Sequence, residues 1–187
     1  MNEKIIRIDV KNIFAQARKN MGFEKYVKIM KMFEKVNVFE SREFQKSFNG
    51  FYRVRRGTEW QKIYYTLFEK SRKINPTFES IITLLYKQTG NIEASFASKM
   101  LHTINNDMPI WDRFVLEKLN KKLTGKTKEE KLQNAIRIYE EIANWYKSYL
   151  QTQEAADCIK EFDALLPEYQ WFSKTKKIDF LLWQMRW

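Results

Sequence analysis

Apolar residues recur at helical spacing along almost the whole chain, and little interrupts them. Phe23, Tyr26, Val27, Met30 and Phe33 follow the i, i+3, i+4 pattern of one helix face. Trp60, Ile63, Tyr64, Leu67 and Phe68 repeat it, and Leu132, Ala135, Ile136, Tyr139, Ile142, Ala143 and Tyr146 extend it over a long stripe. A further helix carries Ala155, Ile159, Phe162 and Leu166, and the end of the chain offers Ile178, Phe180, Leu181, Leu182 and Trp183 for docking into a core. Glycine (5) and proline (3) are too scarce in 187 residues for many long loops. A strand signal is confined to Lys4–Val10, whose brief alternation suits the start of an amphipathic helix nearly as well. The spacing predicts an all-α, multi-helix orthogonal bundle of about eight to ten helices.

Local signals place the helix ends. Asn75-Pro76-Thr77 reads as a stop followed by an N-cap at Thr77, and Gly90 closes the helix carrying Phe78, Ile81, Ile82 and Leu85. Asn105-Asn106-Asp107-Met108-Pro109 is a turn. Thr127 with Glu130 three residues later is a capping box, with Gly125 in the loop before it. Leu166-Pro167 ends another helix. No flexible linker or repeat divides the chain, so residues 1–187 read as one helical unit, with 1–75 and 76–187 as two packed lobes.

Charge separates those lobes. The net charge is +11, and residues 1–75 hold 18 Lys and Arg against 8 Asp and Glu, a balance of +10. Such an excess points to a polyanionic partner. Its densest cluster is Arg53, Arg55 and Arg56, flanked by Tyr52 and Trp60. Arginine forks suit phosphate oxygens, and interleaved aromatics can stack on unpaired bases. Lys25, Lys28, Lys31 and Lys35 read instead as a solvated helix face. One cysteine, Cys158, excludes a disulfide framework and a multi-cysteine metal centre held by this chain alone, and one histidine, His102, argues against a multi-histidine metal centre or a Ser–His–Asp enzyme. No nucleotide-cofactor motif and no membrane-length apolar run occurs. Met1–Val10 lacks the apolar stretch of a signal peptide. The expectation is a cytoplasmic protein without metal or cofactor, with DNA as partner and no membrane.

The segment Thr89–Val115, TGNIEASFASKMLHTINNDMPIWDRFV, carries the chemical signal. It reads as a turn at Gly90-Asn91-Ile92, a helix with Ala94, Ala97, Met100, Leu101 and Ile104 inward, a polar turn, and Pro109-Ile110-Trp111-Asp112 opening another helix. Asp112 at that helix start is suited to cap it. This arrangement resembles the helix–hairpin–helix DNA glycosylase superfamily, notably its 8-oxoguanine-glycosylase-like branch. That family has a glycine-containing hairpin, a helix rich in small residues, and a proline, apolar residue, one further position, then aspartate, with valine shortly after. Gly90 and Asp112 stand 22 positions apart, close to the family's separation. Lys177-Ile178-Asp179-Phe180-Leu181-Leu182-Trp183 is similar to the closing helix of such relatives. The resemblance covers about residues 78–187.

The resemblance implies a DNA glycosylase-like protein. In it Asp112 would stabilise an oxocarbenium-like sugar while a flipped base leaves, and Gly90, Asn91 and Ile92 would hold a strand phosphate through backbone N–H groups. Trp111 and Phe96 are expected to line the base pocket, with Lys99 as a possible Schiff-base nucleophile and His102 as a possible proton donor on the same helix; core packing is the alternative for each aromatic, a structural role for His102, and an exposed or phosphate-binding lysine for Lys99. The family's second hairpin glycine is replaced by Ile92, and the lysine of its strand-cutting members by Glu93. These departures imply a monofunctional glycosylase or a relative without catalysis. The alternatives are a non-catalytic helical nucleic-acid-binding protein that keeps the scaffold, or a protein–protein interaction module.

Overall fold

The computed structural model describes residues 8–16 and 22–185. Among them are ten α-helices and no strand. In chain order they are α1 (Val10–Gln16), α2 (Phe23–Lys35), α3 (Arg42–Tyr52), α4 (Thr58–Ser71), α5 (Phe78–Thr89), α6 (Ala94–Ile104), α7 (Arg113–Lys118), α8 (Lys128–Tyr149), α9 (Gln153–Leu165) and α10 (Lys174–Gln184), with a 3-10 turn at Pro167–Tyr169. The alternating segment Lys4–Val10 lies outside the described residues up to Arg7; from Ile8 it leads into α1. No helix among the described residues is long and apolar enough to cross a membrane.

The helix ends follow the local chemistry. Thr77 and Thr127 both form reciprocal capping boxes, with Ser80 and Glu130 as their partners. Asp112 caps α7, Thr152 caps α9 and Ser173 caps α10 through their side chains. Gly90 ends α5 with φ 69°, a left-handed conformation that costs glycine least.

Buried residues form one continuous cluster that runs from Ile8 to Leu182. Within the basic half, α2, α3 and α4 join through aromatic rings: Phe44 lies 5.7 Å from Phe48 and 6.0 Å from Phe68, and Phe33 lies 5.6 Å from Phe68. Each such pair contributes about 0.5–1.5 kcal/mol beyond its burial. Phe23 of α2 reaches into the second half, 4.6 Å from Phe180 and 5.8 Å from Phe162. The helix α10 packs against α1, α7 and α9, and every residue from Thr175 to Leu182 is buried. A helix buried on all sides must neutralise its charges internally. Lys176 pairs with Asp179 at 2.7 Å, and Lys177 pairs with Asp163 at 2.6 Å while donating to the Gln170 carbonyl at 2.9 Å.

His102 is fully buried in α6. Its Nδ1 lies 2.7 Å from the Met108 carbonyl, which can only accept, so Nδ1 carries the proton. Its Nε2 then accepts from the Tyr26 hydroxyl at 3.1 Å. Burial, followed by the nearby Lys176 charge, pushes the imidazole down to about 3, against the pull of the Met108 hydrogen bond. An unfolded histidine takes up a proton near pH 6.5 that the folded one refuses, so this group favours the fold above pH 6.5 and loses its contribution as pH falls toward 3. Unfolding free energy measured by urea titration should fall by roughly 1.4 kcal/mol for each pH unit below about 6 on account of His102. In His102→Asn that slope should be shallower by the same amount; an unchanged slope would contradict the assignment.

Candidate functional site

Eight residues, Asn105 to Asp112, connect α6 to α7, and side chains from three helix regions hold them. Buried backbone polar groups need partners, and this loop finds them across the fold. Ser173 Oγ, at the start of α10, donates to the Asn106 carbonyl at 2.6 Å. His102 donates to Met108, and the Tyr139 hydroxyl of α8 donates to the Pro109 carbonyl at 2.8 Å. The Trp111 N–H donates to Ser98 Oγ of α6 at 2.9 Å. The path delivers Asp112 in an extended conformation, φ −118° and ψ 149°, with Oδ1 accepting the Phe114 N–H at 2.9 Å.

Asp112 is half-buried and opens onto a cleft of about 510 Å³. The cleft is bounded by Gly22 and Lys25 at the start of α2, by Gly50, Phe51, Tyr52 and Arg53 at the end of α3, and by Lys99 of α6. Ile110 and Asp112 contribute from the loop, and Lys176, Asp179, Phe180 and Trp183 from α10. The basic half and the aspartate segment, distant in sequence, thus share one cavity.

The cleft's inner wall is a buried ion pair in an aromatic setting. Lys176 Nζ sits 4.6 Å from the Tyr26 ring centre, 4.3 Å from Phe180 and 6.0 Å from Phe51, with Asp179 as its counter-ion. The negative faces of these rings attract the ammonium group. The Tyr26 phenol is held above its ordinary range by burial and then by the Asp179 charge. Lys99 is half-buried and lies 5.1 Å from the Phe96 ring centre and 5.8 Å from Tyr52, with Nζ donating to the Tyr52 carbonyl at 3.4 Å.

Of the residues expected from sequence, Asp112, Lys99 and Arg53 meet in this cleft; the others lie elsewhere. His102 does not face it, because it is enclosed between Tyr26 and Met108. Trp111 lies in the core under the loop, stacked parallel to Phe78 at 6.3 Å, and Phe78 in turn stacks on Tyr139 at 3.8 Å. Phe96 packs on Trp60 at 4.9 Å. Neither aromatic lines the cleft, since both point from their backbones into helix–helix contacts. Arg55 is exposed, and Arg56 folds back onto α6. Lys25, Lys176, Asp179 and Trp183 were not expected at the site from sequence. Lys25 reads in sequence as one member of a solvated lysine stripe, and Asp179 and Trp183 only as part of a closing helix that docks into the core.

At the hairpin, Gly90 N–H donates to the Tyr86 carbonyl at 2.8 Å and Asn91 N–H to Thr89 Oγ1 at 3.2 Å. Lys128 Nζ donates to the Gly90 carbonyl at 2.8 Å. Ile92 packs against the core. Glu93, 4 % exposed, accepts from Arg56 at 2.9 Å and from Trp60 Nε1 at 3.1 Å. The carboxylate therefore ties the start of α6 to α4 and its preceding loop.

Comparison with protein-family models, with curated proteins and with solved structures finds no match. The resemblance of the Gly90–Val115 segment to glycosylases therefore rests on its residues alone.

Removing the Glu93 carboxylate leaves a half-buried indole N–H without its acceptor and an arginine without its counter-charge. Glu93→Ala should cost about 2–4 kcal/mol of unfolding free energy, and Glu93→Gln, which keeps an acceptor for Trp60, should cost less. Equal losses in both variants would contradict the hydrogen-bond account.

Proposed function

We propose that this chain is a DNA glycosylase-like protein whose cleft receives one extruded nucleotide and uses Asp112 in cleaving its glycosidic bond. The observation that carries this reading is the meeting of Asp112 with Lys25 and Arg53 of the basic half in one cavity. A half-buried carboxylate beside cations is what a nucleotide unit needs: positive groups for the phosphate, and a fixed negative charge for a sugar that becomes cationic. In the reaction the C1′–N bond breaks and the base leaves with the electron pair. Water then forms the new C1′–O bond. One water proton ends on the departing base, so the products are a free base and an abasic sugar. Asp112 stabilises the intervening positive charge. The loop clamp holds its carboxylate in place, so little reorganisation accompanies the charge change.

A second reading has its own support. Oδ1 of Asp112 is engaged as the α7 cap, and the position of the strand-cutting lysine is taken by Glu93, whose buried carboxylate pairs with the more exposed Arg56. Both fit a nucleic-acid-binding protein that keeps the scaffold without the chemistry.

Incubation with a panel of oligonucleotides bearing damaged or mismatched bases separates the two. A glycosylase releases free base and leaves an alkali-labile abasic site. Asp112→Asn should retain the α7 cap and bind DNA, yet lose at least about 100-fold in release rate. Absence of release across the panel, with salt-sensitive binding intact, would favour the binding protein.

A further inference from the structure

Several cations of this fold are held by a carboxylate. Lys28 pairs with Glu43, Arg56 with Glu93, Arg72 with Glu69, Lys176 with Asp179 and Lys177 with Asp163. Lys25 and Arg53 form no ion pair among the described residues, and both border the cleft. Lys99 borders it from a third element. Lys176 is neutralised by Asp179, and Lys25, Arg53, Lys99 and Asp112 are the other charged groups that border the opening.

The backbone around this opening has unusual features. Arg53 adopts φ 53°, the left-handed region that a side-chain-bearing residue enters at a cost of about 1–2 kcal/mol. That conformation ends α3, keeping Arg53 exposed at the cleft while Val54 turns inward. Two of the other bordering residues are glycines. A Cβ at Gly22 would come within 3.1 Å of Phe51 and strain a φ of 80°, whereas at Gly50 it would project into open space. The hairpin, by contrast, has spent the Gly90 and Asn91 N–H groups on its own chain.

We propose that Lys25, Arg53 and Lys99 form a phosphate-binding rim that anchors the DNA strand through the phosphodiester flanking the cleft nucleotide, in place of the Gly90–Ile92 hairpin. The inference rests on the reading that the cleft takes a nucleotide of a DNA strand. Guanidinium and ammonium groups from three elements surround a tetrahedral phosphate from several sides, which one helix face of lysines does not.

The test is binding of fluorescent oligonucleotides by the full chain, measured by anisotropy between about 50 and 200 mM salt. Lys25→Ala, Arg53→Ala and Lys99→Ala should each weaken binding about fivefold to tenfold and lower the slope of log K against log salt by about one. Asn91→Ala and Lys128→Ala should leave the slope unchanged. Replacing one linkage by a neutral methylphosphonate, at the position flanking the flipped nucleotide, should cost the wild type affinity and cost the triple rim variant none. Circular dichroism checks that each variant is folded. Rim variants with the wild-type salt slope, or hairpin variants that lose more than they do, would overturn the rim. If the rim fails while Asp112→Asn still blocks base release, the glycosylase reading survives without it. If the wild type binds no oligonucleotide, both fall.

Discussion

The clamp on Asn105–Asp112 is the interaction on which the rest of the site depends. Ser173, His102, Tyr139 and Ser98 each satisfy a different backbone group of this loop. Without these partners the Pro109 carbonyl and the Trp111 N–H would be buried and unpaired, each at a cost of about 1–3 kcal/mol. The clamp also links α6, α8 and α10, so α10 cannot shift without disturbing the backbone that presents Asp112. His102 can serve only while neutral, because a protonated Nε2 could not accept from Tyr26. Its burial and its depressed basicity are therefore parts of one structural role.

The cleft is a consequence of how the two halves meet. Phe23 docks against Phe162 and Phe180, which brings the start of α2 over α10. The end of α3 follows because Phe51 and Tyr26 both face Lys176. Burying that lysine is costly unless it is paired, and Asp179, one helical turn away, supplies the pair. The same aromatic packing that stabilises the fold thus carries Lys25 and Arg53 to the mouth of the cavity containing Asp112.

Much of the scaffold was legible in advance, for local reasons. Thr77, Gly90, Thr127 and Asp112 act within four residues of themselves, so their caps and stops follow from neighbours in sequence. Helical stripes read equally well, because one face of each helix must leave water. Side-chain destinations were another matter. Trp111 and Phe96 stand beside the chemical signal in sequence, yet both turn into the core. His102 shares α6 with Lys99 but lies on its buried side. Arg56 was one of three clustered arginines, and in the fold its 2.9 Å contact with Glu93 draws it away from the cleft that Arg53 borders.

By itself the sequence determined that the chain is helical, where most helices begin and end, and that positive charge gathers before Pro76. Those properties depend on residue spacing and on contacts a few positions apart. Only the tertiary structure decided that Lys25, Arg53, Lys99 and Asp112 share a cavity, and that Lys176 and Asp179 form its inner wall. These residues come from α2, α3, α6, the loop before α7 and α10. What joins them is aromatic packing between distant parts of the chain, as for Phe23 and Phe180, and hydrogen bonding such as that of Tyr26 and His102, 76 positions apart. Periodicity along a chain records which face of a helix is buried, and contains nothing about which other helix buries it.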